Sequence, residues 1–307
     1  MINLYLKMAV RSLRSARWRS FLTMLGVVVG VSSVVTIISI GDGVKYQITK
    51  QVNDASSNLI TIRPGRLVER DQHGQVTKVH YQSVFSSGSL TDADIATIKK
   101  NKEVSAVVPY GLFSGLPQAR DTKYSEALLI GTSPDMPNIT NRKIAYGSFF
   151  SSNDANGAVA VIGQRVAEQL FHENSPIGKT FILRGEEIIV RGVLETAHPS
   201  PQDLGLNYDN AIFMPYDYAK KLAGGQLQVY QVLTSPGKDQ AVATVVTILN
   251  NSLKTAHGGG DDITVLQTAD TLASASNALN RTTAVVANTD GMSLLVGCMG
   301  MSNDVGV

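Results

Sequence analysis

A long uncharged stretch near the start of the chain is the most distinctive pattern in the sequence. Residues 21–40 (FLTMLGVVVGVSSVVTIISI) contain no charged side chain. At a rise of about 1.5 Å per residue, a helix of this length measures roughly 30 Å, which matches the hydrocarbon thickness of a bilayer. The stretch is longer than a usual signal-peptide core, and Ser39-Ile40-Gly41 is a poor cleavage site. We therefore favour a retained membrane anchor over a cleaved signal or a buried soluble helix.

The charges before this stretch predict its orientation. Arg11, Arg14, Arg17 and Arg19 precede it, and residues 1–20 contain no acidic side chain. By the positive-inside rule, these anchors keep the N-terminus in the cytoplasm and place the following chain on the other side. The expected location is the cell (inner or plasma) membrane, with the main domain extracytoplasmic and membrane lipid as one partner.

Two weaker patterns concern the same region. Residues 1–18 carry apolar positions at helical spacing, with Lys7, Arg11 and Arg14 grouped on another side. This arrangement predicts an amphipathic helix on the cytoplasmic face, although an ordinary basic flank is the alternative. Gly26 and Gly30 form a G-x-x-x-G, and small residues at that spacing let another helix approach closely. These two glycines are the helix-packing candidates.

Downstream, short apolar runs alternate with helical patterns. Thr91 and Asp94 form a capping box that predicts the start of a helix. Gly41-Asp42-Gly43 breaks the first helix or marks its exit from the bilayer. Strands are predicted at 59–62, 104–108, 127–131, 159–163, 211–214, 228–233 and 263–266, a hairpin at 180–194, and helices at 165–171, 216–222 and 238–253. Because no strict β-α-β repeat appears, we expect an α+β or mixed α/β domain with two lobes.

Composition excludes several classes of protein. The chain is 43% hydrophobic and 17% charged, which is enough apolar material for a folded core and too little charge for a disordered chain. The net charge of +2 gives no reason to expect nucleic acid as a partner. The single cysteine, Cys298, excludes an internal disulfide and a cysteine zinc site.

Catalytic motifs are missing from the sequence. Residues 175–180 end like a phosphate-binding P-loop but lack the upstream glycine, so they are interpreted as a tight turn. No G-x-S-x-G elbow occurs, and the five histidines lack metal-ligand spacing and are interpreted as surface residues. Asp92 and Asp94 are interpreted as helix-start residues. We therefore predict no catalytic, cofactor-binding or metal-binding residues, and a protein that is not an enzyme.

A second apolar stretch lies close to the end of the sequence. Residues 291–303 carry no charge, but as a helix they would reach only about 20 Å. Asp290 and Asp304 bracket the stretch, and each would cost about 2.5–3.5 kcal/mol near the bilayer centre. The expectation is a partial membrane segment.

Three runs of residues resemble one family. The opening RSLRSARWRSFLTMLGVVVGVSSVVTIISIGDGVKYQI, followed by SSNLITIRPG, resembles the start of MacB/FtsX-type ABC transporter permeases. The run GSFFSSNDANGAVAVIGQRVAEQLFHENSPIGKTFILRGEEIIVRGVLE resembles the family's MacB-like periplasmic core domain, and MSLLVGCMGM resembles the start of its second membrane helix. The resemblance covers nearly the whole chain in order.

The resemblance implies an architecture and a function. It implies a porter-like lobe with an inserted second lobe, in a permease for ABC-type export (efflux) or mechanotransmission whose ATP is hydrolysed by a separate subunit. The implied partners are that ABC ATPase, a homodimer or paired permease, and a periplasmic adaptor protein. The expected division is 1–18 amphipathic helix, 19–42 transmembrane helix 1, 43–270 extracytoplasmic core with the inserted lobe at about 115–215, and 271–307 stalk with the start of a truncated second transmembrane helix.

The sequence departs from the family pattern at its end. It stops within the second membrane segment and places Asn288, Asp290 and Asp304 where the family is apolar. These features predict a fragment or truncated permease. The alternative function is a membrane-anchored extracytoplasmic binding module that regulates envelope enzymes or adaptors, as FtsX-like proteins do. An anchored enzyme is a third hypothesis, which the missing motifs disfavour.

Overall fold

The computed structural model describes nine stretches of the chain, residues 17–54, 58–65, 68–70, 76–79, 90–196, 206–238, 240–260, 262–270 and 283–285. The chain divides into two compact units, Ile48–Ser274 and Met1–Gln47 with Ala275–Val307. All described strands belong to the first of these units. The predicted amphipathic helix over residues 1–18 and the apolar stretch 291–303 lie outside the described residues, apart from the first helical residues at 17 and 18.

The apolar stretch near the N-terminus belongs to one uninterrupted helix, α1 (Arg17–Asp54). Of the two interpretations of Gly41-Asp42-Gly43, a break in the helix is wrong, because the backbone stays helical through both glycines. The other, an exit of the helix from the bilayer, stays a prediction. A glycine costs only about 1 kcal/mol in a helix interior, whereas each backbone group left unpaired in lipid costs several kcal/mol. The helix therefore continues past the sequence signal that favoured its end.

The described part of Ile48–Ser274 alternates short strands with short helices. The helices are α2 (Asp92–Lys100), α3 (Met136–Thr140), α4 (Gln164–Val166, continued as a π-helix over Ala167–Phe171), α5 (Tyr216–Leu222) and α6 (Val242–Ala256). Single 3₁₀ turns occur at Ser152–Asp154 and Tyr208–Asn210. The strands are β1 (Ile60–Pro64), β2 (Val68–Arg70), β3 (Val76–Val79), β4 (Val104–Phe113), β5 (Gln118–Ala119), β6 (Thr122–Lys123), β7 (Leu128–Thr132), β8 (Ile144–Gly147), β9 (Val159–Ile162), β10 (Thr180–Leu183), β11 (Glu186–Leu194), β12 (Ala211–Pro215), β13 (Gln228–Pro236) and β14 (Ile263–Gln267).

Four strands and two helices form a first lobe. Its strands pair antiparallel in the order β14-β1-β13-β4, and α2 and α6 connect them in a split β-α-β arrangement. Every residue of β1 is buried, including the polar Thr61 and Arg63. Both helices pack on the sheet through one apolar stripe, made of Ile95 and Ile98 on α2 and of Val245, Leu249 and Leu253 on α6.

The elements between β4 and β13 form a second lobe, which is an insertion between neighbouring strands of the first. The sheet continues from β4 through β7, β12, β9, β11, β10, β5 and β6, and β8 pairs with β11, so that twelve of the described strands share one sheet. Two of these pairings, β7 with β12 and β9 with β11, are parallel. A separate pair, β2 with β3, is antiparallel. The expected mixed α/β fold is thus confirmed.

Local predictions agree with the structure to different degrees. The helix after Thr91 begins and ends where the capping signal places it. The predicted hairpin is present, with Arg184 and Gly185 at positive φ in the turn between β10 and β11. The helix predicted to begin at Lys238 begins instead at Val242, because Gln240 N–H donates to the Gly237 carbonyl in a bond that is not helical.

Candidate functional site

One described helix is long and apolar enough to cross a membrane, and it is the Met24–Val44 part of α1. An apolar surface that extends along a whole helix is not stable in water, whereas lipid solvates it at no cost. In this chain the segment leaves large apolar side chains exposed at Phe21, Met24, Leu25, Val28, Val29, Val31, Val35, Ile38, Ile40 and Val44.

Two hydroxyl groups of the apolar segment of α1 donate hydrogen bonds within the helix. The Ser33 hydroxyl donates to the Gly30 carbonyl at 2.9 Å, and the Thr36 hydroxyl donates to the Ser32 carbonyl at 2.7 Å. Such bonds to a carbonyl three or four residues earlier remove the cost of a hydroxyl in hydrocarbon. These two hydroxyl groups therefore do not prevent the segment from facing lipid.

One glycine on α1 that makes a packing contact is Gly41. It is buried, and a Cβ atom built there would lie 2.9 Å from the Thr283 hydroxyl oxygen, where residues 283–285 are helical. Gly26 is exposed, and a Cβ atom there would meet nothing within 4 Å among the described residues. Gly30 is half-buried. Helix packing at Gly26 and Gly30 stays a prediction, and Gly41 is the contact that sequence reasoning missed.

The predicted positive anchors lie at the edge of the described residues. Arg17 and Arg19 occupy the first turn of α1, and nothing is described of their side chains. Arg11 and Arg14 lie outside the described residues. The role of these four residues in orientation stays a prediction from the charge pattern.

The start of α2 combines a helix cap with contacts to other elements. The Thr91 backbone N–H and hydroxyl both donate to Asp94 Oδ2 at 2.8 Å, as the capping box predicts. Asp94 is buried, and its other oxygen faces a ring nitrogen of His257 at 2.9 Å. The interpretation of His257 as a surface residue is wrong, because its side chain is only 15% exposed.

Asp92, two residues earlier, joins the two lobes. The Tyr216 hydroxyl on α5 donates to Asp92 Oδ1 at 2.8 Å, and Lys220 on α5 forms an ion pair with Asp92 Oδ2. Because α2 belongs to the first lobe and α5 to the inserted one, these contacts form a clamp between lobes. The sequence placed Asp92 at a helix start and gave no signal for its partner, 128 residues away.

Electrostatic effects at this clamp act in opposite directions on the partners. Burial by itself raises the pKa of Asp92. The hydrogen bonds from Lys220 and Tyr216 together lower this pKa by more than burial raises it, so the net shift is downward. The hydrogen bond and charge of Asp92 raise the pKa of Lys220. Burial, followed by the Asp92 contact, raises the pKa of Tyr216. Asp92 and Lys220 are therefore both charged at neutral pH.

A cleft of about 430 Å³ lies beside the clamp. The first lobe lines it with α2 residues and Pro109, and the inserted lobe with Ser133, Ser151 and the start of α5. The Thr132 hydroxyl lies at its buried end without a hydrogen-bond partner among the described residues. The cleft carries lysines and aspartates in equal number, Lys99 and Lys220 with Asp92 and Asp217, so charge alone selects no ligand.

The described residues do not assemble a metal cluster of three or more His, Cys, Asp or Glu side chains. The segment that ends like a P-loop is a turn, in which Lys179 N–H donates to the Pro176 carbonyl and Gly178 has a φ of 77°. Backbone in that shape presents no row of N–H groups to a phosphate.

Sequence comparison assigns the family. The family model described as MacB-like periplasmic core domain matches residues 20–251, which is most of the chain. The chain belongs to the MacB-like periplasmic core domain family. The match begins at the start of the apolar stretch of α1 and ends within α6.

Curated relatives agree with this family assignment. The chain is 32% identical to the macrolide export ATP-binding/permease protein MacB of Rhodospirillum rubrum and 29% identical to that of Marinobacter nauticus, covering 97% of this chain and 44% of each relative. It is 28% identical to the pyoverdine export ATP-binding/permease protein PvdT of Pseudomonas aeruginosa, over 94% of this chain and 41% of PvdT. The chain thus spans less than half the length of these relatives.

Solved structures share the fold. The periplasmic region of MacB from Actinobacillus actinomycetemcomitans superposes with a TM-score of 0.58 at 18% identity, covering 72% of this chain and 94% of that one. The extracellular domain of the noncanonic ABC-type transporter YknZ from Gram-positive bacteria superposes with a TM-score of 0.51 at 19% identity. This match covers 68% of this chain and 100% of the YknZ domain. At these identities the likeness concerns the fold alone.

Proposed function

We propose that this chain is the first membrane helix and extracytoplasmic domain of an ABC-type export permease. Its role is to move a substrate or a partner protein outside the membrane with ATP hydrolysed by a separate ATP-binding subunit. The relatives are export proteins that combine ATP-binding and permease parts, and this sequence lacks the phosphate-binding motif. The chain itself therefore performs no covalent chemistry in this proposal.

The continuity of α1 carries the proposal. Residues 24–44 satisfy the requirements of a membrane span, and the same helix runs on to Asp54 without a loop. An unbroken helix resists bending better than a flexible linker, so displacement at one end reaches the other end.

The orientation follows from charge. Arg11, Arg14, Arg17 and Arg19 precede the span and favour a cytoplasmic N-terminus in the cell (inner or plasma) membrane. The domain that begins at β1 is then extracytoplasmic. The proposed partners are the ATPase subunit, a second permease subunit as homodimer or paired permease, a periplasmic adaptor and membrane lipid.

A membrane-anchored binding module that regulates envelope enzymes or adaptors is the second candidate. The cleft of about 430 Å³ between the lobes favours it, because a concave surface between two lobes can receive a segment of another protein. The two candidates differ in one respect that can be measured. Only the permease requires α1 to transmit movement as well as to hold the domain in the membrane.

Orientation is tested by chemical labelling of intact cells. Asp121 lies exposed between β5 and β6, so Asp121→Cys in a Cys298→Ala background should react with a membrane-impermeant maleimide. The matched variant Ser12→Cys, before the span, should react only after lysis. If Ser12→Cys reacts in intact cells and Asp121→Cys does not, the proposed orientation is wrong.

Export is tested with a chimera. This chain replaces the corresponding segment of Rhodospirillum rubrum MacB, and macrolide resistance is measured in a strain without its own exporter. The expected result is partial resistance, which a helix-disrupting Gly41→Pro substitution abolishes. The control is Gln226→Ala in the exposed loop after α5, which should leave resistance unchanged. A chimera that inserts and hydrolyses ATP at the relative's rate but confers no resistance would favour the binding module.

A further inference from the structure

His257 occupies the C-terminal cap of α6, where a glycine-rich turn reverses the chain. Gly258 and Gly259 have φ values of 63° and 89°, a conformation that L side chains rarely adopt. Within the turn, Gly259 N–H donates to the Lys254 carbonyl at 2.8 Å and Gly260 N–H to the His257 carbonyl at 3.1 Å. The turn thereby returns the chain to the imidazole that precedes it.

Both ring nitrogens of His257 face carboxylates. Nε2 lies 2.9 Å from Asp94 Oδ1 at the start of α2, and Nδ1 lies 2.9 Å from Asp262 Oδ2 just before β14. The His257 side chain is 15% exposed, the Asp94 side chain 5% and the Asp262 side chain 47%. One ring therefore joins three elements of the first lobe, with the stronger electrostatic contact on the buried Asp94 side.

This geometry favours a positively charged ring. A neutral imidazole has one N–H and one lone pair, so one of two ionised carboxylates would face a lone pair, whereas imidazolium donates from both nitrogens. The other oxygen of Asp94 accepts hydrogen bonds from the Thr91 N–H and hydroxyl. Burial lowers the pKa of His257, but hydrogen bonds to Asp94 and Asp262, together with their charges, raise it, and the net shift is upward.

We propose that His257 is a proton-dependent staple, whose imidazolium form holds the start of α2, the end of α6 and the entry to β14 together and whose deprotonation releases this corner of the first lobe. The groups that face the ring are Asp94 from α2 and Asp262 from the segment before β14. Lys254, one turn earlier on α6, lines a cavity of about 10 Å³ together with Asp262. The Asp262 carbonyl also accepts from Gly65 N–H at 2.6 Å, which ties the corner to the end of β1.

The direction of the pH effect follows from linkage. The folded chain binds the proton on His257 more tightly than the unfolded chain, whose histidines titrate near pH 6.5. The stabilisation is therefore complete below about pH 6.5. It is lost as pH rises through the higher pKa that His257 has in the folded chain.

The first test measures the protonation of His257 directly. The full chain in detergent micelles carries five histidines, which are labelled at Cε1 and titrated by NMR, and His257→Gln identifies the resonance. The expected midpoint lies above 6.5 for His257, and Asp262→Asn should lower it.

A matched control is His172→Asn, since His172 is exposed and Asn tolerates its positive φ of 57°. A His257 midpoint at or below the value for His172 would overturn the proposal.

The second test measures the consequence for the fold. Hydrogen exchange of wild type and His257→Gln is compared at pH 6.0 and pH 8.5, over peptides covering residues 90–100 and 253–267. Wild type should exchange at least several-fold more slowly than the variant at pH 6.0 and similarly to it at pH 8.5. An equal difference at both pH values, or none at either, contradicts the staple. If His257→Gln does not fold, the comparison is made with Asp262→Asn, for which the same pattern is required at smaller amplitude.

Discussion

The helices α1 and α6 are both rich in apolar residues, yet they expose those residues differently. On α6, Val245, Leu249 and Leu253 form a stripe that is buried against the sheet, while the intervening positions are largely polar and exposed. On α1, apolar side chains are exposed around the helix through the candidate span. A one-sided stripe needs a protein partner, whereas an all-round apolar surface needs lipid.

This contrast separates two sources of stability in one chain. Burial of the α6 stripe is driven by removal of apolar surface from water. When a side chain of the stripe is shortened, the loss in free energy of unfolding depends on the size of the cavity that remains. The surface of α1 gains nothing from water exclusion between helices once it lies in lipid, so contacts there depend on close packing at small residues. Equivalent substitutions should therefore have different effects on the two helices.

The largest effect is expected from a cavity under α6. Leu249→Ala should lower the free energy of unfolding of the first lobe by about 2–5 kcal/mol, because this side chain is fully buried. The control is Thr247→Ala on the exposed side of the same helix, which should change it by less than about 0.5 kcal/mol. Denaturant unfolding of the full chain in micelles measures both. Equal losses would mean that the apolar stripe does not anchor α6.

A charge in α1 should act at the level of membrane insertion. Val35→Arg, at an exposed position near the centre of the span, should cost about 2.5–3.5 kcal/mol of insertion free energy. The measurement is the fraction of chain retained in membranes after alkaline extraction, and Val35→Leu is the control that keeps the surface apolar. Undiminished retention of Val35→Arg would show that this face does not meet lipid.

A smaller effect is expected at the helix contact of α1. Gly41→Leu should destabilise the packing against Thr283 by about 1–3 kcal/mol, because the added side chain meets an oxygen 2.9 Å from its Cβ. Gly26→Leu is the matched control, since its Cβ has open space among the described residues. Thermal unfolding in micelles compares the two variants. A greater loss for Gly26→Leu would identify the predicted G-x-x-x-G as the dominant packing site.

The smallest effect is expected at the clamp between lobes. Lys220→Met should lower stability by only about 0.2–1 kcal/mol, because the side chains of Lys220 and Asp92 are 35% and 49% exposed. The neighbouring Lys221→Met serves as the control, and high salt should reduce the difference between them. Since the pKa of Asp92 is lowered in the folded chain, the contribution of the pair is present above the unfolded pKa and is lost as pH falls through the folded one.

Local signals predicted several elements and missed others for identifiable reasons. The capping box at Thr91 and Asp94 and the hairpin turn at Gly185 involve residues close in sequence, so the pattern contains the whole interaction. The short helix α3 and strand β8 have weak patterns of their own and are stabilised by neighbouring elements, β8 by pairing with β11. The predicted domain boundaries and the roles of Gly26, Gly30 and the four arginines stay predictions.

The sequence by itself determined the candidate membrane span and the alternation of strands and helices, because solvent preference and helix capping act over short spans of chain. It also predicts the orientation, which stays a prediction. Only the tertiary structure decided that β5 to β12 are inserted between neighbouring strands β4 and β13, that Asp92 reaches Lys220, and that His257 lies between Asp94 and Asp262. These contacts join different elements of the fold, and they form only when the folded sheet brings those elements together.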